Sequence, residues 1–424
     1  MLSQTCIKEY ENILKEELIP AQGCTEPIAI AYAAAKAKQL LGQVPKKVTL
    51  VVSGNIVKNV KSVTVPNTGG LKGIEASAAA GFIGGDADAV LEVVAHIPEE
   101  KLSEIGDYLS KNSITVQVAP EEKGNFYIDL AASAGEDQVR IVLETYHTNI
   151  TRIEKNGQVL LEKPQEISHN HATDRSLLNI RDILEYADTA DLTPVQSVLE
   201  RQIQYNRAIA QEGLDAHWGA CIGQSLLDTY GDSVRTRARA AAAAGSDARM
   251  SGCELPVVIV SGSGNQGITT SLPVIVYAQE LKVSHEKLLR ALALADLVTI
   301  HQKTSIGSLS AFCGATSAGC GAAAGIAYLY GGNYETIAHT ITNTLAIVSG
   351  MICDGAKPSC AAKISMAVEA GIIGFEMYKK GMEFRHGEGI LANKVDKTIE
   401  NIGRIARDGM RETDHQILDI MVNN

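Results

Sequence analysis

The residues best suited to chemistry in this 424-residue sequence are cysteines that lie in glycine-rich or helix-starting segments. The segments are AQGCTEP around Cys24, GSLSAFCGATSAGCGAAAG around Cys313 and Cys320, and GMICDGAKPSCAAK around Cys353 and Cys360. No C-x-x-C pair occurs, which disfavours a zinc ribbon, a thioredoxin site and a ferredoxin-type run. The cysteines are therefore either buried small hydrophobes or ligands gathered from distant segments.

The spacing within each later pair of cysteines limits which of them can share one metal centre. Cys320 follows Cys313 by seven positions, and Cys360 follows Cys353 by the same number. In a helix that spacing covers roughly 10 Å along one face, so one cysteine of each pair is expected to bind. Pro358 predicts a loop followed by a helix start, which places Cys353 in the loop and Cys360 in the first helical turn.

A glycine-rich segment, VVIVSGSGNQG at 257–267, is a second candidate for binding. It satisfies the G-x-G-x-x-G pattern of dinucleotide sites, but the sequence after it predicts a helix instead of the required second strand with an acidic residue. We interpret it as a glycine loop entering a helix, whose backbone N–H groups suit a small carboxylate. A tight turn with capping duties is the alternative.

The elements that position these segments can be predicted from hydrophobic periodicity and turn residues. Thr25 and Pro27 suit the start of a helix directly after Cys24. The dipole of such a helix favours a thiolate at Cys24. Helices are predicted over 2–18, 28–42, 74–82, 87–94, 237–250, 283–302 and 337–352. Strands are predicted at 47–53 and in strand-like runs over 113–120, 125–133, 138–156 and 158–163, and these later runs form an antiparallel meander.

This pattern predicts an α+β fold, with an α/β part that contains the meander and a large, mostly α-helical domain. We expect the chain to divide into three parts. The N-terminal helices at 1–44 pack on the helical domain, an α/β domain follows at 45–171, and a mostly α-helical catalytic domain covers 172–424. Abundant Ala and Gly with only 4% aromatic residues predict a core in which helices approach closely. Such helices are compatible with a homo-oligomer.

Composition and charge narrow the classes of partner. The formal charge of −11 argues against nucleic acid, which is bound largely by Lys and Arg. Segments 255–278 and 311–332 are long enough to span a bilayer but are rich in Gly, Ser, Thr and Asn, so no membrane partner is expected. The acidic N-terminus has no apolar signal region, which predicts a cytoplasmic protein.

Several motifs together resemble the L-cysteine desulfidase family, which is related to the α-chain of iron–sulfur L-serine dehydratases. They are AQGCTEPIAIAYAAA, VPNTGG, SGSGNQGI, KTSIGSLSAFCGATSAGCGAAAG and CDGAKPSCAAK, spread over nearly the whole chain. The resemblance implies a [4Fe–4S] cluster held by Cys24, Cys313 and Cys353, with Cys360 as the alternative ligand. The serine dehydratase pattern instead takes its ligands from the segments of Cys313, Cys353 and Cys360, and the presence of Cys24 is similar to the desulfidase arrangement.

The chemistry implied by this resemblance is β-elimination from a small amino acid, which yields pyruvate, ammonia and, from L-cysteine, sulfide. Three protein ligands would leave one iron open as a Lewis acid for the leaving group. A base must reach the Cα proton, and the candidates are His301, Lys303 and Lys357. The residues expected to hold the substrate's carboxylate and amine are Asn67, Thr68, Gly69, Gly264, Asn265 and Gln266.

Three alternatives stay open at this point. The same chemistry on L-serine would make the protein a dehydratase. An iron–sulfur sensor without turnover is a second alternative, which the loops rich in Gly and Asn and the lack of a basic DNA-reading region disfavour. In the third, all eight cysteines are structural and the protein holds no metal.

Overall fold

The computed structural model describes residues 2–163, 173–307 and 309–423 and has the predicted α+β architecture. A mixed sheet with flanking helices is followed along the chain by a large helical part. The predicted domain boundary at 171–172 lies outside the described residues, so the division into domains stays a prediction.

The helices fall into an N-terminal pair, three beside the sheet and a long C-terminal series. They are α1 (Gln4–Glu17), α2 (Thr25–Leu41), α3 (Gly54–Val60), α4 (Gly73–Gly84), α5 (Lys101–Lys111), α6 (Ile180–Thr189), α7 (Gln196–Asp215), α8 (Ile222–Tyr230), α9 (Val234–Met250), α10 (Gly264–Leu281), α11 (His285–Ile306), α12 (Gly314–Leu329), α13 (Tyr334–Ile347), α14 (Cys360–Lys379), α15 (Val395–Arg404) and α16 (Arg411–Asn423). Short 3₁₀ helices lie at Ala87–Glu92, Glu121–Lys123 and Arg175–Leu177, and a π-helical turn at Ile405–Gly409.

The main sheet has six strands in the order β3-β2-β4-β5-β6-β7. Its strands are β2 (Lys47–Val52), β3 (Ser113–Val118), β4 (Tyr127–Ala134), β5 (Asp137–Glu144), β6 (Ile150–Lys155) and β7 (Gln158–Glu162). Strands β4 to β7 form an antiparallel meander, as predicted. The prediction is wrong for the run at 113–120, because this run is the edge strand β3, which pairs with β2 in parallel after a helical crossover. The run predicted at 138–156 divides into β5 and β6, and the loop between them carries His147.

A second sheet, of two strands, brings together two segments that are distant in the sequence. Strand β1 (Pro20–Gln22) pairs antiparallel with β8 (Pro256–Val258). This pairing places the segment before Cys24 beside the segment before the glycine-rich loop. Because β8 pairs antiparallel and leads into α10, the loop does not belong to a βαβ unit, which agrees with the interpretation as a glycine loop entering a helix.

Small residues let the C-terminal helices pack with their backbones nearly in contact. A Cβ atom on Gly319 of α12 would lie 2.6 Å from the backbone of Ala367 in α14. A Cβ on Gly321 would lie 2.0 Å from Thr299 Oγ1 in α11. Helix α1 packs on α11, whereas α2 packs mainly on α4 and the sheet. No helix of the described part of the chain is long and apolar enough to cross a bilayer.

The predicted helix at 337–352 is wrong beyond Ile347, where α13 ends. The following chain turns through Gly350, and Ile352 instead forms an isolated antiparallel bridge with Phe312. Periodicity did not reveal this end because the apolar residues continue through the loop. The bridge is what brings the two later cysteine segments together.

Candidate active site

Cys313 and Cys353 meet across the bridge between Phe312 and Ile352. The Cys313 N–H donates to Met351 O at 3.0 Å, and the Cys353 N–H donates to Ala311 O at 2.6 Å. The two thiols interact directly. The interaction with Cys313 lowers the pKa of Cys353, and the positive charge of Lys58 lowers it further, although burial acts in the opposite direction. The pKa of Cys313 is raised, because both the interaction with Cys353 and burial disfavour its thiolate.

Cys360 and Cys24 extend this pair into a longer cluster of thiols. Cys360 is the first residue of α14, as the sequence predicted, and its charge interacts with that of Cys353. Because residues 353–359 form a loop and not a helix, the helical separation expected between Cys353 and Cys360 does not apply. Cys24 lies in the same small apolar cluster as Cys360. Cys320 is different: it is fully buried inside α12, where its thiol contacts Ile341 O.

Four helices begin at this cluster. Cys24 is the N-cap of α2, Cys313 is the N-cap of α12, and Cys360 opens α14. Helix α10 begins beside them, since the Thr25 hydroxyl donates to Gly262 O at 2.9 Å. A Cβ on Gly314 would also lie 2.7 Å from Gln266 Cδ. The positive ends of these helices favour negative charge on thiolates or on a bound anion.

The donor set fits the chemistry of an iron–sulfur cluster. Such clusters are held by cysteine thiolates, and here thiols from three segments lie together at helix starts with Lys58 and Lys363 close by. Within the described residues, no three His, Cys, Asp or Glu side chains are grouped closely enough to hold a single metal ion. A cluster takes one thiolate at each of several irons, so its ligands stand further apart than those of one ion.

Three further residues at the site were missed by the sequence analysis: Glu26, His147 and Arg249. Buried Glu26 accepts hydrogen bonds from the Cys24 thiol at 3.1 Å and from Asn59 Nδ2 at 3.0 Å. His147 Nε2 lies 4.0 Å from Glu26 Oε1 and has no hydrogen-bond partner within the described structure. Burial alone would raise the pKa of Glu26, but His147 and the Cys24 thiol lower it.

Arg249, in the last turn of α9, lies against the glycine-rich loop. Its Nη1 donates to Asn265 Oδ1 at 3.1 Å, and a Cβ on Gly264 would lie 2.4 Å from its Nε. No spacing in the sequence singles out Arg249, Glu26 or His147. Glu26 falls within the AQGCTEP motif, which is the one signal that could have drawn attention to it.

The three candidate bases lie in different surroundings. Lys303 is buried near Cys313 and Cys353, and burial lowers its pKa to about 8 against the opposing charges of those thiols. His301 Nε2 is instead 2.9 Å from Asp396 Oδ1. Lys357 Nζ is 2.5 Å from Asp354 Oδ1.

The two predicted substrate loops also differ. Asn67 Nδ2 donates to Val94 O at 2.8 Å, which ties the loop to a separate segment. Thr68 Oγ1 donates to Val65 O at 2.7 Å within the loop itself, so both side chains already serve to hold the loop. Gly69 has a φ of +69° and open space around it. Gly264, Asn265 and Gln266 form the first turn of α10, and the buried Gln266 Oε1 has no hydrogen-bond partner in the described residues.

Comparison with known proteins finds one matching family model and relatives that align with nearly the whole chain. The family model described as serine dehydratase alpha chain matches residues 88–419. A UPF0597 protein of Desulfitobacterium hafniense is 55% identical over 98% of this chain and 96% of its own length. UPF0597 proteins of Lachnoclostridium phytofermentans and Treponema denticola are 50% and 45% identical, each over 98% of this chain and over 100% and 98% of their own lengths.

Proposed function

Because this chain belongs to the serine dehydratase alpha-chain family, we propose that it cleaves L-cysteine to pyruvate, ammonia and sulfide. Family membership makes it a dehydratase-like lyase, and L-cysteine is the finer part of the proposal. The observation that carries it is the meeting of Cys24 with the segments of Cys313 and Cys353 through the shared cluster of Cys24 and Cys360.

We propose that these thiols bind a [4Fe–4S] cluster, with Cys24, Cys313 and Cys353 as ligands and Cys360 as the alternative to Cys24. When bound, the cluster supplies an iron without a protein ligand, which acts as a Lewis acid on the leaving group. The helix starts around the thiols stabilise the negative charge of the thiolates.

We assign removal of the Cα proton to Lys303. Lys303 is buried beside Cys313 and Cys353, and its Nζ forms no hydrogen bond or ion pair among the described residues, whereas His301 and Lys357 are held by carboxylates. As the proton passes to Lys303 Nζ, the β-substituent leaves as sulfide and an enamine remains. The enamine tautomerises and is hydrolysed to pyruvate and ammonia, and Lys303 then gives up its proton.

The same site supports L-serine as the second candidate substrate, with water as the product in place of sulfide. The observation that favours it is Cys360, which interacts with Cys353 and completes the set of cysteine segments that serine dehydratases use. An iron–sulfur sensor is the third candidate and differs from both because it would not turn over either amino acid.

An anaerobic assay of the reconstituted protein tests these functions together. We expect pyruvate and sulfide from L-cysteine at a higher kcat/KM than pyruvate from L-serine. A higher kcat/KM for L-serine would select the dehydratase, and iron binding without pyruvate from either substrate would select the sensor. Protein that binds neither iron nor acid-labile sulfide would contradict all three.

Cysteine variants locate the ligands in the same assay. We expect Cys313→Ala, Cys353→Ala and Cys24→Ala to lose iron and activity together. Cys360→Ala decides between the two arrangements, because loss of iron from it but not from Cys24→Ala would indicate the serine dehydratase pattern. Cys320→Ala is the matched control, since that thiol is fully buried in α12 and should leave iron content unchanged.

A further inference from the structure

Arg249 is a buried cation without a counter-ion in the described part of the chain. Its side chain is only 2% exposed, and its one hydrogen bond there goes to a neutral group, Asn265 Oδ1. Its buried Nε has no hydrogen-bond partner. Burying an unpaired charge is costly, so a guanidinium in this state indicates a missing anion.

The nearby acidic groups do not supply that anion. The Cys24 thiol donates its hydrogen bond to Glu26 Oε2 and makes none with Arg249. The oxygens of Glu26 accept hydrogen bonds from Cys24 and Asn59 and form no ion pair with Arg249. The anion that pairs with Arg249 must therefore come from outside these residues.

The surroundings of Arg249 have a second feature that favours a carboxylate. Gly264, against which the guanidinium packs, is the first residue of the 18-residue helix α10. The N-cap residue Ser263 makes no side-chain capping hydrogen bond, so the first-turn N–H groups keep their capacity to donate. A glycine is needed here because a Cβ would collide with Arg249.

We propose that Arg249 binds the α-carboxylate of the amino-acid substrate, together with the first turn of α10. A guanidinium and a row of N–H groups match the two oxygens of a carboxylate. Arg249 is then a substrate-binding residue that selects α-amino acids over amines, and Asn265 orients it. The identity of the carboxylate as that of the substrate rests on the proposed function.

Two small thiols that differ in their charged group test this assignment. 3-Mercaptopropionate has a carboxylate and no amine, and cysteamine has an amine and no carboxylate. Their binding to the reconstituted protein is measured by the shift of the thermal unfolding midpoint over a concentration series. We expect Arg249→Gln to weaken the binding of 3-mercaptopropionate by ~10-fold or more and to leave that of cysteamine unchanged.

Matched controls show whether the effect belongs to Arg249. Arg239→Gln changes another arginine of α9, whose charge already pairs with Glu369, and should bind 3-mercaptopropionate as the unmodified protein does. Should Arg249→Gln fail to fold, the methyl ester of 3-mercaptopropionate tests the unmodified protein. The ester lacks the negative charge, and we expect it to bind ~10-fold more weakly or worse than the acid.

Unchanged binding of 3-mercaptopropionate to Arg249→Gln, or equal binding of the acid and its ester, would overturn the proposal. The proposal would also be overturned if Arg249→Gln lost its iron and bound neither probe, because Arg249 would then act on the thiols and not on a substrate. If the unmodified protein produces no pyruvate yet shows the expected contrast between the probes, the proposed function fails and the carboxylate site stands.

Discussion

At the scale of single residues, Lys303 differs from the other lysines near the thiols. Lys58 pairs with Asp414 and both Lys357 and Lys363 pair with Asp354, whereas Lys303 has no such partner in the described chain. We expect Lys303→Gln to lower kcat by ~10²- to 10⁴-fold, since this is the usual contribution of a general base. The measurement is kcat at saturating substrate with iron content determined in parallel.

Two variants give this result its meaning. Lys38→Gln replaces a partly buried lysine that donates to Ile83 O, and it should keep kcat and iron content. A larger loss from Lys357→Gln than from Lys303→Gln would transfer the role of base to Lys357.

The cysteine segments could be predicted at this scale because glycine and helix-start residues mark them in the sequence. The predictions of Cys353 in a loop and Cys360 at a helix start are confirmed. Arg249 and His147 could not be predicted, because their surroundings are formed by residues far away in the chain. A buried arginine without an anion looks like any arginine of an alanine-rich helix until the fold is known.

At the scale of secondary-structure elements, the contact between α12 and α14 sets the distance between Cys313 and Cys360. Gly319 touches the backbone of Ala367, so we expect Gly319→Ala to push the helices apart and to cost ~1–3 kcal/mol in the free energy of unfolding. Both the thermal unfolding midpoint and the iron content per chain after reconstitution should decrease.

Gly106→Ala is the control for this substitution. Gly106 lies in the exposed part of α5 with open space around its Cα, so a methyl group there should stabilise the protein by ~0.5–1 kcal/mol. If Gly319→Ala behaves like Gly106→Ala, the helix contact does not control the site.

Most elements could be predicted because their periodicity is strong, as in α1, β2 and the meander of β4 to β7. The end of α13 could not, since the apolar residues after Ile347 pack in a loop. The pairing of Phe312 with Ile352 is a contact between loops, which local sequence does not encode.

At the scale of the whole molecule, one buried carboxyl group ties stability to pH. Burial raises the pKa of Asp296 to about 8, against a hydrogen bond from Gln202 that lowers it. The unfolded group ionises near ~4, so folding takes up a proton between that pH and about 8. The contribution of Asp296 to stability is therefore full at low pH and is lost as the pH rises through this window.

We expect Asp296→Asn to remove this loss. The thermal unfolding midpoint of the unmodified protein should fall more steeply than that of Asp296→Asn between roughly pH 5 and pH 8, by at most ~1.4 kcal/mol per pH unit in the free energy of unfolding. Asp107→Asn, at a residue whose side chain is 68% exposed, should follow the unmodified protein. Parallel pH profiles for Asp296→Asn and the unmodified protein would contradict the assignment.

The distribution of the thiols along the chain also constrains the order of events during biosynthesis. Cys24 leaves the ribosome early, Cys313 and Cys353 follow much later, and Cys360 emerges shortly before the last helices. Under the proposed assignment, a nascent chain carries isolated thiols until translation has passed Cys353. The proposed cluster can be inserted only after that point, and a ribosome that stalls before Cys313 leaves Cys24 as the single proposed ligand in its product.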